Sequence, residues 1–280
     1  MTLRAYLELV RLPNSILSGL GALFSILVYS GYSANPLVLS IGFITGFLLT
    51  GASMVVNDVV DLEVDKVNKP WKPLPRGDAS VQSSLVLAVV MVAVALALNT
   101  YLGTPALLVS VVYCALGISY SFMRKYWWSH VLVATSTTGP VVYGYVVTGA
   151  PRRDLYFTTV FTAVVVAVNL GREFLKALQD YEGDLAKGYK TIATRLGVEK
   201  ALRAMLVTGV VGSALALYTL ALSVSLAYKA LIAVAAALYA YSVLAAYKHS
   251  SRREVLENSR KKTLIAMFIG TVAFWLSKLG

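Results

Sequence analysis

Long runs without charge are the first feature of this sequence. No Asp, Glu, Lys or Arg occurs from Leu12 to Asn57, a run of 46 residues, or from Ala79 to Met123, a run of 45. A helix needs about 20 apolar residues to cross a bilayer, so each run has room for two crossings. Turns rich in Gly, Asn and Pro, at 31–36 and 101–105, divide the two runs. The pattern predicts four membrane-spanning helices in the first half of the chain.

Shorter uncharged stretches continue this pattern to the carboxyl terminus. They lie at 126–151, 155–171, 204–228, 230–247 and 263–277. A membrane β-barrel would instead need segments of about ten residues that alternate between apolar and polar side chains, and these stretches do not alternate. We therefore predict an all-α membrane protein, a single domain over residues 1–280 with nine transmembrane helices in a bundle.

Composition and charge sharpen this prediction. Hydrophobic residues make up 58% of the chain and charged residues only 14%, against about 25% charged residues in average soluble domains. With nine helices, the side that holds the amino terminus has 21 Lys and Arg, and the other side has four. The positive-inside rule places the amino terminus in the cytoplasm of a multi-pass cell-membrane protein. Orientation accounts for the net charge of +11, so no nucleic-acid partner is expected, and no obligate protein partner is evident.

The acidic residues cluster in two segments. Thirteen of the 14 fall on the predicted cytoplasmic side, and most lie at 57–65, after the second predicted helix, or at 173–184, after the sixth. On a continuous helix, Asp58, Asp61 and Asp65 would share an arc of about 60°. Because three carboxylates on one stripe repel each other, the arrangement favours a bound cation.

The ligand chemistry of these segments favours a hard metal ion. Oxygen donors without His or Cys are typical of Mg²⁺, which commonly takes its other ligands from water and substrate phosphate. In the second segment, Asp180 and Asp184 are four residues apart, with Glu173 on the same stripe. Two such stripes that meet across a cavity would suit a diphosphate bridged by metal ions. The alternative is a pair of solvated acidic helix ends that balance basic loops.

These motifs also resemble a known family. The segment NDVVDLEVD at 57–65, continued by NKP at 68–70, resembles the UbiA-type superfamily of intramembrane prenyltransferases, and the likeness covers essentially the whole chain. Within it, RLPN at 11–14, REFLK at 172–176 and DYEGD at 180–184 are similar to the archaeal enzymes of ether-lipid synthesis. The resemblance implies nine helices around a central cavity open to the cytoplasm. It also implies Mg²⁺-dependent transfer of a geranylgeranyl group from its diphosphate to the hydroxyl of geranylgeranylglyceryl phosphate, a lipid-phosphate acceptor.

The same resemblance implies roles for individual residues. The implied ligands of Mg²⁺ are Asn57, Asp61, Asp65, Asp180 and Asp184. The implied catalytic carboxylates are Asp58, Asp61, Asp65, Asp180 and Asp184. The implied substrate-binding residues are Asn14, Lys69, Arg76, Tyr120, Arg124, Lys125 and Lys176.

Position 177 departs from the family pattern. The superfamily commonly has an aspartate three residues before the position that matches Asp180, and this chain has Ala177 there. One carboxylate of the usual set is therefore missing. Glu173, one turn earlier on the same stripe, is the candidate to replace it.

Two other functions compete with this prediction. One keeps the superfamily but changes the acceptor to an aromatic ring, as in quinone biosynthesis. The other is a divalent-cation transporter that uses the aspartate stripes as its ion site. Transporters usually place ionisable groups near the membrane midplane on broken helices, whereas this chain has them at predicted helix ends, which favours a prenyltransferase.

Overall fold

Helices account for the regular structure of this chain. The computed structural model describes residues 3–123, 126–186 and 188–279, which contain fifteen α-helices, one 3-10 turn at Thr219–Ala221 and one isolated parallel bridge between Tyr126 and Lys190. The α-helices are α1 (Leu3–Leu9), α2 (Leu12–Tyr29), α3 (Pro36–Val60), α4 (Leu62–Asn68), α5 (Pro73–Arg76), α6 (Val81–Leu102), α7 (Thr104–Met123), α8 (Ser129–Ser136), α9 (Gly139–Val147), α10 (Arg152–Gln179), α11 (Tyr181–Ala186), α12 (Ile192–Leu196), α13 (Val198–Tyr218), α14 (Leu226–Lys248) and α15 (Arg253–Trp275).

Helices end at both of the predicted turns, at 31–36 and 101–105. Asn35 caps α3 through its side-chain oxygen, which accepts a hydrogen bond from the Leu37 N–H at 2.8 Å, and Pro36 is the first helical residue. This is the usual chemistry of a helix start, since Pro lacks the N–H that would have no partner there. Gly103, with φ of 104°, separates α6 from α7. The two divisions inferred from the sequence are confirmed.

Seven helices of the described chain are long and apolar enough to cross a bilayer. They are α2, α3, α6, α7, α10, α13 and α14. The fifth predicted span instead consists of two short helices, α8 and α9, interrupted at Thr137 and Thr138 just before Pro140. The last predicted span lies within α15, whose first half carries several charges. The all-α, multi-span prediction is therefore confirmed, while the number nine stays a prediction.

The helices group into two compact units. Unit 1 consists of residues 3–123 and 139–150, which hold α1 to α7 and α9. Unit 2 consists of residues 126–138 and 151–279, which hold α8 and α10 to α15. The first acidic segment belongs to unit 1 and the second to unit 2.

Unit 1 is packed through small residues and a buried polar network. A Cβ at Gly144 of α9 would lie 2.5 Å from the Cβ of Ser25 in α2, so only glycine permits this close approach. Within the bundle, the Tyr143 hydroxyl donates to the Asn99 carbonyl at 2.8 Å, and the Asn99 amide donates to Thr45 at 2.8 Å. All three side chains are buried, and lipid offers no hydrogen-bond partners to polar groups. These side chains therefore satisfy their hydrogen-bonding groups by bonding to one another.

The amino-terminal helix of unit 1 packs beside the first acidic segment. Ala5 and Leu9 of α1 are fully buried, and Leu9 belongs to an apolar cluster with Val55 and Leu74. This cluster joins α1 to the last turns of α3 and to α5. It fixes the backbone around the carboxylates of residues 57–65.

Unit 2 is built around α10, which packs along α13 and contacts α8, α12 and α15. Its last turns contribute Phe174, Leu175 and Leu178 to an apolar cluster with Met205 and Val243. A helix of 28 residues is about 42 Å long at 1.5 Å per residue, longer than the roughly 30 Å hydrocarbon core. The final turns of α10, before the second acidic segment, thus extend towards the level of the lipid headgroups.

Candidate active site

The first acidic segment spans a junction between two helices. Asn57 and Asp58 lie in the last turn of α3, Asp61 is the junction residue with φ of −84° and ψ of 2°, and Asp65 lies in α4. Helical hydrogen bonds continue across the junction, since the Asp61 N–H donates to the Asn57 carbonyl and the Asp65 N–H donates to the Asp61 carbonyl. The segment is therefore divided at Asp61, whereas the sequence pattern was interpreted as one continuous helix. The carboxylates still follow one another at helical spacing.

Two basic side chains neutralise the first segment. Lys72 donates to Asp58 at 2.8 Å and to Asp65 at 2.5 Å, and Arg11 donates to the same Asp58 oxygen at 2.8 Å. Asp58 and Asp65 are only 4% and 2% exposed. Such deeply buried carboxylates need positive partners, because leaving a buried charge unpaired is strongly destabilising.

The other polar groups of the segment complete this arrangement. The Asn57 amide donates to Asp61 at 3.2 Å, and both residues are buried. Lys69, the residue after α4, lies 3.7 Å from Asp65, and its side chain is 42% exposed. The ammonium group of Lys69 therefore lies at the outer edge of the buried carboxylate group, where an anionic substrate can reach it.

The donor set of the first segment fits Mg²⁺ in its chemistry. Asp58 and Asp65 already hold one cationic group, the Lys72 ammonium, between them. Across residues 3–123, 126–186 and 188–279, no three His, Cys, Asp or Glu side chains converge into a ready-made metal centre. Mg²⁺ does not need one, since it is usually bound through one or two carboxylates, water and substrate phosphate.

The second acidic segment repeats the backbone of the first. Asp180 follows α10 with φ of −90° and ψ of 6°, and Asp184 lies in the short helix α11. The Asp180 N–H donates to the Lys176 carbonyl at 2.9 Å, and the Asp184 N–H donates to the Asp180 carbonyl at 2.8 Å. Asp180 is exposed and Asp184 is half-buried. Asp180 and Asp184 are therefore more exposed than the three aspartates of the first segment.

The similar backbones of the two segments also show which position of the first segment corresponds to Ala177. It lies three residues before Asp180, as Asp58 lies three before Asp61, so it occupies the place of the buried carboxylate. Ala177 is 4% exposed and packs in the apolar cluster with Phe174. An aspartate there would be buried among apolar side chains, and burial of an uncompensated charge is costly.

Glu173, the suggested replacement for the missing carboxylate, is already engaged. Both of its oxygens accept hydrogen bonds from Lys176, at 2.9 and 3.0 Å. Arg172 lies 3.8 Å away and the Nδ1 atom of His130 lies 4.0 Å away. Glu173 thus belongs to a buried group of mixed charge.

The remaining sequence-predicted substrate residues are scattered. Asn14 is exposed in the first turn of α2, and Tyr120 is half-buried near the end of α7. Arg76 donates to Asp78 at 2.5 Å, to Glu8 at 3.3 Å and to the Trp71 carbonyl at 2.9 Å. Arg124 and Lys125 lie outside the described residues.

Sequence reasoning missed Lys72 and Arg11 as partners of the carboxylates. Both had been counted only among the basic residues that set the orientation. A local signal existed for Lys72, which lies seven residues after Asp65 in the same loop. For Arg11, 47 residues away from Asp58, the fold alone provides the contact.

Comparison with known proteins agrees with the all-α membrane fold. The model of the UbiA prenyltransferase family matches residues 18–275, so this chain belongs to the UbiA prenyltransferase family and is a membrane-embedded prenyltransferase. Among curated relatives, the digeranylgeranylglyceryl phosphate synthase of Saccharolobus solfataricus is 32% identical over 208 residues, 72% of each chain. The enzyme of the same name from Pyrococcus abyssi is 30% identical over 282 residues, 100% of this chain and 99% of that protein.

Solved structures show the same fold. A digeranylgeranylglyceryl phosphate synthase has a TM-score of 0.86 at 24% identity, covering 99% of this chain and 98% of the other. A UbiA homologue from Archaeoglobus fulgidus, solved with DMAPP and Mg²⁺, has a TM-score of 0.68 at 17% identity, covering 96% of this chain and 98% of the other. The all-α fold of this chain is therefore the fold of the family.

Proposed function

We propose that this protein transfers a geranylgeranyl group from geranylgeranyl diphosphate to the free hydroxyl of geranylgeranylglyceryl phosphate, in an Mg²⁺-dependent step of archaeal ether-lipid synthesis. The observation that carries the proposal is the buried carboxylate group of the first acidic segment, held between Lys72 and Arg11. The full-length similarity to the Pyrococcus abyssi synthase supports the choice of acceptor.

The proposal assigns Mg²⁺ ligands in each of the two acidic segments. The proposed ligands of Mg²⁺ are Asn57, Asp61, Asp65, Asp180 and Asp184. When bound, the ion supplies positive charge to the departing diphosphate. Asp58 supports these residues by holding Lys72 and Arg11 in place. The UbiA homologue solved with DMAPP and Mg²⁺ shows that the fold accommodates this combination in that protein.

The reaction breaks the allylic C–O bond to diphosphate, and the bonding electron pair leaves with the diphosphate. The acceptor oxygen forms a bond to the allylic carbon and gives up its proton to a carboxylate or to the diphosphate. Cationic side chains stabilise the leaving group because negative charge builds up on it in the transition state. We assign stabilisation of the leaving group to Lys69, Arg76, Arg124 and Lys125, and positioning of the substrates to Asn14, Tyr120 and Lys176.

The proposal also includes the wider architecture. We propose one domain of nine spans in the cell membrane, with a central cavity open to the cytoplasm and the amino terminus on that side. The excess of Lys and Arg on the amino-terminal side supports this orientation. Single cysteines placed at Ser33 and Ser250, in a Cys114→Ser background, test it in intact cells. We expect an impermeant maleimide to label only the cysteine at position 33, and the reverse pattern would contradict the orientation.

An acceptor-choice assay tests the function. The full chain, purified and reconstituted in lipid, receives labelled geranylgeranyl diphosphate with either geranylgeranylglyceryl phosphate or 4-hydroxybenzoate. We expect a doubly prenylated glycerol phosphate from the first mixture, and loss of that product when EDTA removes Mg²⁺. Product from 4-hydroxybenzoate alone would show an aromatic prenyltransferase instead.

A further inference from the structure

A second polar cluster lies within unit 2, at the start of the second acidic segment. It consists of His130 from α8 together with Arg172, Glu173 and Lys176 from α10. His130 is 9% exposed and Glu173 is 7% exposed. The ring of His130 packs edge-on against Phe174 at 5.6 Å between centroids, which fixes its orientation. This buried cluster is distinct from the aspartates proposed to bind Mg²⁺.

Two nitrogens in this cluster have no hydrogen-bond partner within the described chain. They are Nε2 of His130 and Nε of Arg172, and both are inaccessible to solvent. Buried polar groups are normally paired, so unpaired ones at a candidate site indicate a missing ligand. Both nitrogens can serve as hydrogen-bond donors.

The charge of the cluster shows which sign that ligand has. Lys176 contacts both oxygens of Glu173 and so neutralises it. Arg172 is 3.8 Å from Glu173, too far for a hydrogen bond, and its charge remains in excess. An excess guanidinium with an unused Nε–H offers the two parallel donors that bind a phosphate in bidentate fashion.

The level of the cluster along α10 favours a lipid phosphate. Arg172 lies eight residues before Asp180, about 12 Å along the helix axis. It is thus within the final turns of α10, which extend towards the headgroup level. A phosphate attached to a lipid would reach this level with its chains in the hydrocarbon region.

We propose that Arg172, with His130 and Lys176, forms a binding site for the phosphomonoester of the acceptor lipid, and that Glu173 positions the Arg and Lys side chains. This inference rests on the proposed function for the identity of the acceptor. It separates the two anionic groups of the reaction, because the prenyl diphosphate is assigned to the aspartate segments and the acceptor phosphate to this cluster.

Steady-state kinetics of an Arg172→Gln variant test the proposal. We expect the KM for geranylgeranylglyceryl phosphate to rise about 10- to 100-fold, the usual effect of losing a charge-assisted hydrogen bond. The KM for geranylgeranyl diphosphate stays unchanged. The His130→Gln variant, which loses a neutral partner, raises the acceptor KM about 2- to 10-fold. A rise in the KM for the diphosphate alone, or no change in either KM, would overturn the assignment.

The matched control is Arg203→Gln. Arg203 is an exposed residue of α13 in the same unit, paired with Glu199. We expect this variant to keep both KM values. If Arg172→Gln unfolds on heating earlier than wild type, Arg172→Lys is used, which keeps the charge but lacks the Nε–H donor. That variant shows an intermediate KM if the site binds phosphate, and a wild-type KM would contradict it.

Equilibrium binding in EDTA gives a readout that needs no turnover. Calorimetric titration compares geranylgeranylglyceryl phosphate, its dephosphorylated alcohol and inorganic phosphate. We expect the lipid phosphate to bind at least 10-fold more tightly than either, with the difference from the alcohol lost in Arg172→Gln. Equal binding of inorganic phosphate would show a site for free phosphate and reject the lipid assignment. Failure of wild type to use the acceptor at all, despite this binding, would count against the proposed function instead.

Discussion

The two acidic junctions have the same backbone but opposite surroundings. Asp61 and Asp180 have nearly identical φ and ψ, each follows a long helix, and each is joined by a hydrogen bond to an aspartate four residues later. In the first junction the neighbouring carboxylates are buried and paired with Lys72 and Arg11. In the second junction Asp180 is exposed.

Because of this difference, substitutions in the two junctions should have different effects on stability and on activity. Carboxylates that are buried with intramolecular cations contribute to the folded state as well as to any substrate they bind, so changes there affect both properties. Carboxylates at an exposed helix end contribute little to folding, so changes there affect mainly binding and catalysis.

Asp61→Asn is expected to have the largest effect on activity. It removes a proposed metal ligand while keeping a side chain that can still hydrogen-bond with Asn57, so prenyl transfer should fall about 100- to 1,000-fold. Product formation per milligram of folded protein measures this loss. Glu63→Gln, on the exposed side of the same junction, is the control and should retain activity. Equal activity of the two variants would remove Asp61 from the site.

Lys72→Met is expected to have the largest effect on stability. Asp58 and Asp65 would lose the ammonium between them, at a cost of about 2 to 4 kcal/mol, below the 5 kcal/mol upper value for fully buried pairs because Lys72 is partly exposed. Chemical unfolding in detergent measures the change. Added Mg²⁺ should restore part of the loss, since it can replace the missing positive charge. Lys66→Met, which removes an exposed pair with Glu63, should leave stability nearly unchanged.

Asp180→Asn is expected to separate activity from stability. Because the carboxylate is exposed, its removal should change the free energy of unfolding by less than about 0.5 kcal/mol. Activity should nevertheless fall about 10- to 100-fold if the residue helps to hold the metal. Thermal unfolding and product formation are measured on the same sample. The neighbouring exposed Glu182→Gln should alter neither, and a large drop in its Tm would show that the second junction supports the fold after all.

Glu8→Gln is expected to have the smallest effect, at the edge of the first junction. The hydrogen bond from Arg4 and the nearby charge of Arg76 hold the pKa of Glu8 below its ordinary 4.5. A lowered folded-state pKa gives a stabilisation that is complete above about pH 4.5 and is lost as pH falls through the lowered value. Wild type should therefore exceed the variant in Tm by about 1 °C near neutral pH, and this difference should vanish in acid.

Glu257→Gln provides the comparison for this small effect. Glu257 forms an exposed pair with Lys261 on α15, and its pKa is also lowered by that partner. The two variants should behave alike. A much larger loss for Glu8→Gln would show that α1 holds the first junction together through the contact of Glu8 with Arg76.

The membrane fold was largely predictable from the sequence because lipid imposes a simple rule. A span must be apolar for about 20 residues, so gaps between charges locate helices directly. The sequence did not predict the interruption of the fifth span, where Pro140 and the threonines before it divide one apolar stretch into two short helices. A run of residues without charged side chains gives the length of an apolar stretch, but it does not show whether the helix within that stretch is continuous.

The candidate site was predictable only where its residues are local in sequence. The spacing of Asp58, Asp61 and Asp65 indicated a bound metal cation, which stays a prediction. It did not show that the protein supplies cations of its own, because Lys72 is 14 residues and Arg11 47 residues from Asp58. Such contacts depend on tertiary packing, in this case of α1 against α3 and α5.

Arg11 combines two requirements that conflict. Its backbone is left-handed, with φ of 47° and ψ of 63°, a conformation that suits glycine and costs other residues about 1–2 kcal/mol. Its side chain holds Asp58. A designer who seeks a more heat-resistant enzyme by relaxing the backbone would choose glycine here and would remove a guanidinium from the catalytic end of the bundle. Thermostability screens of this protein should therefore exclude this position, although it lies outside both acidic motifs.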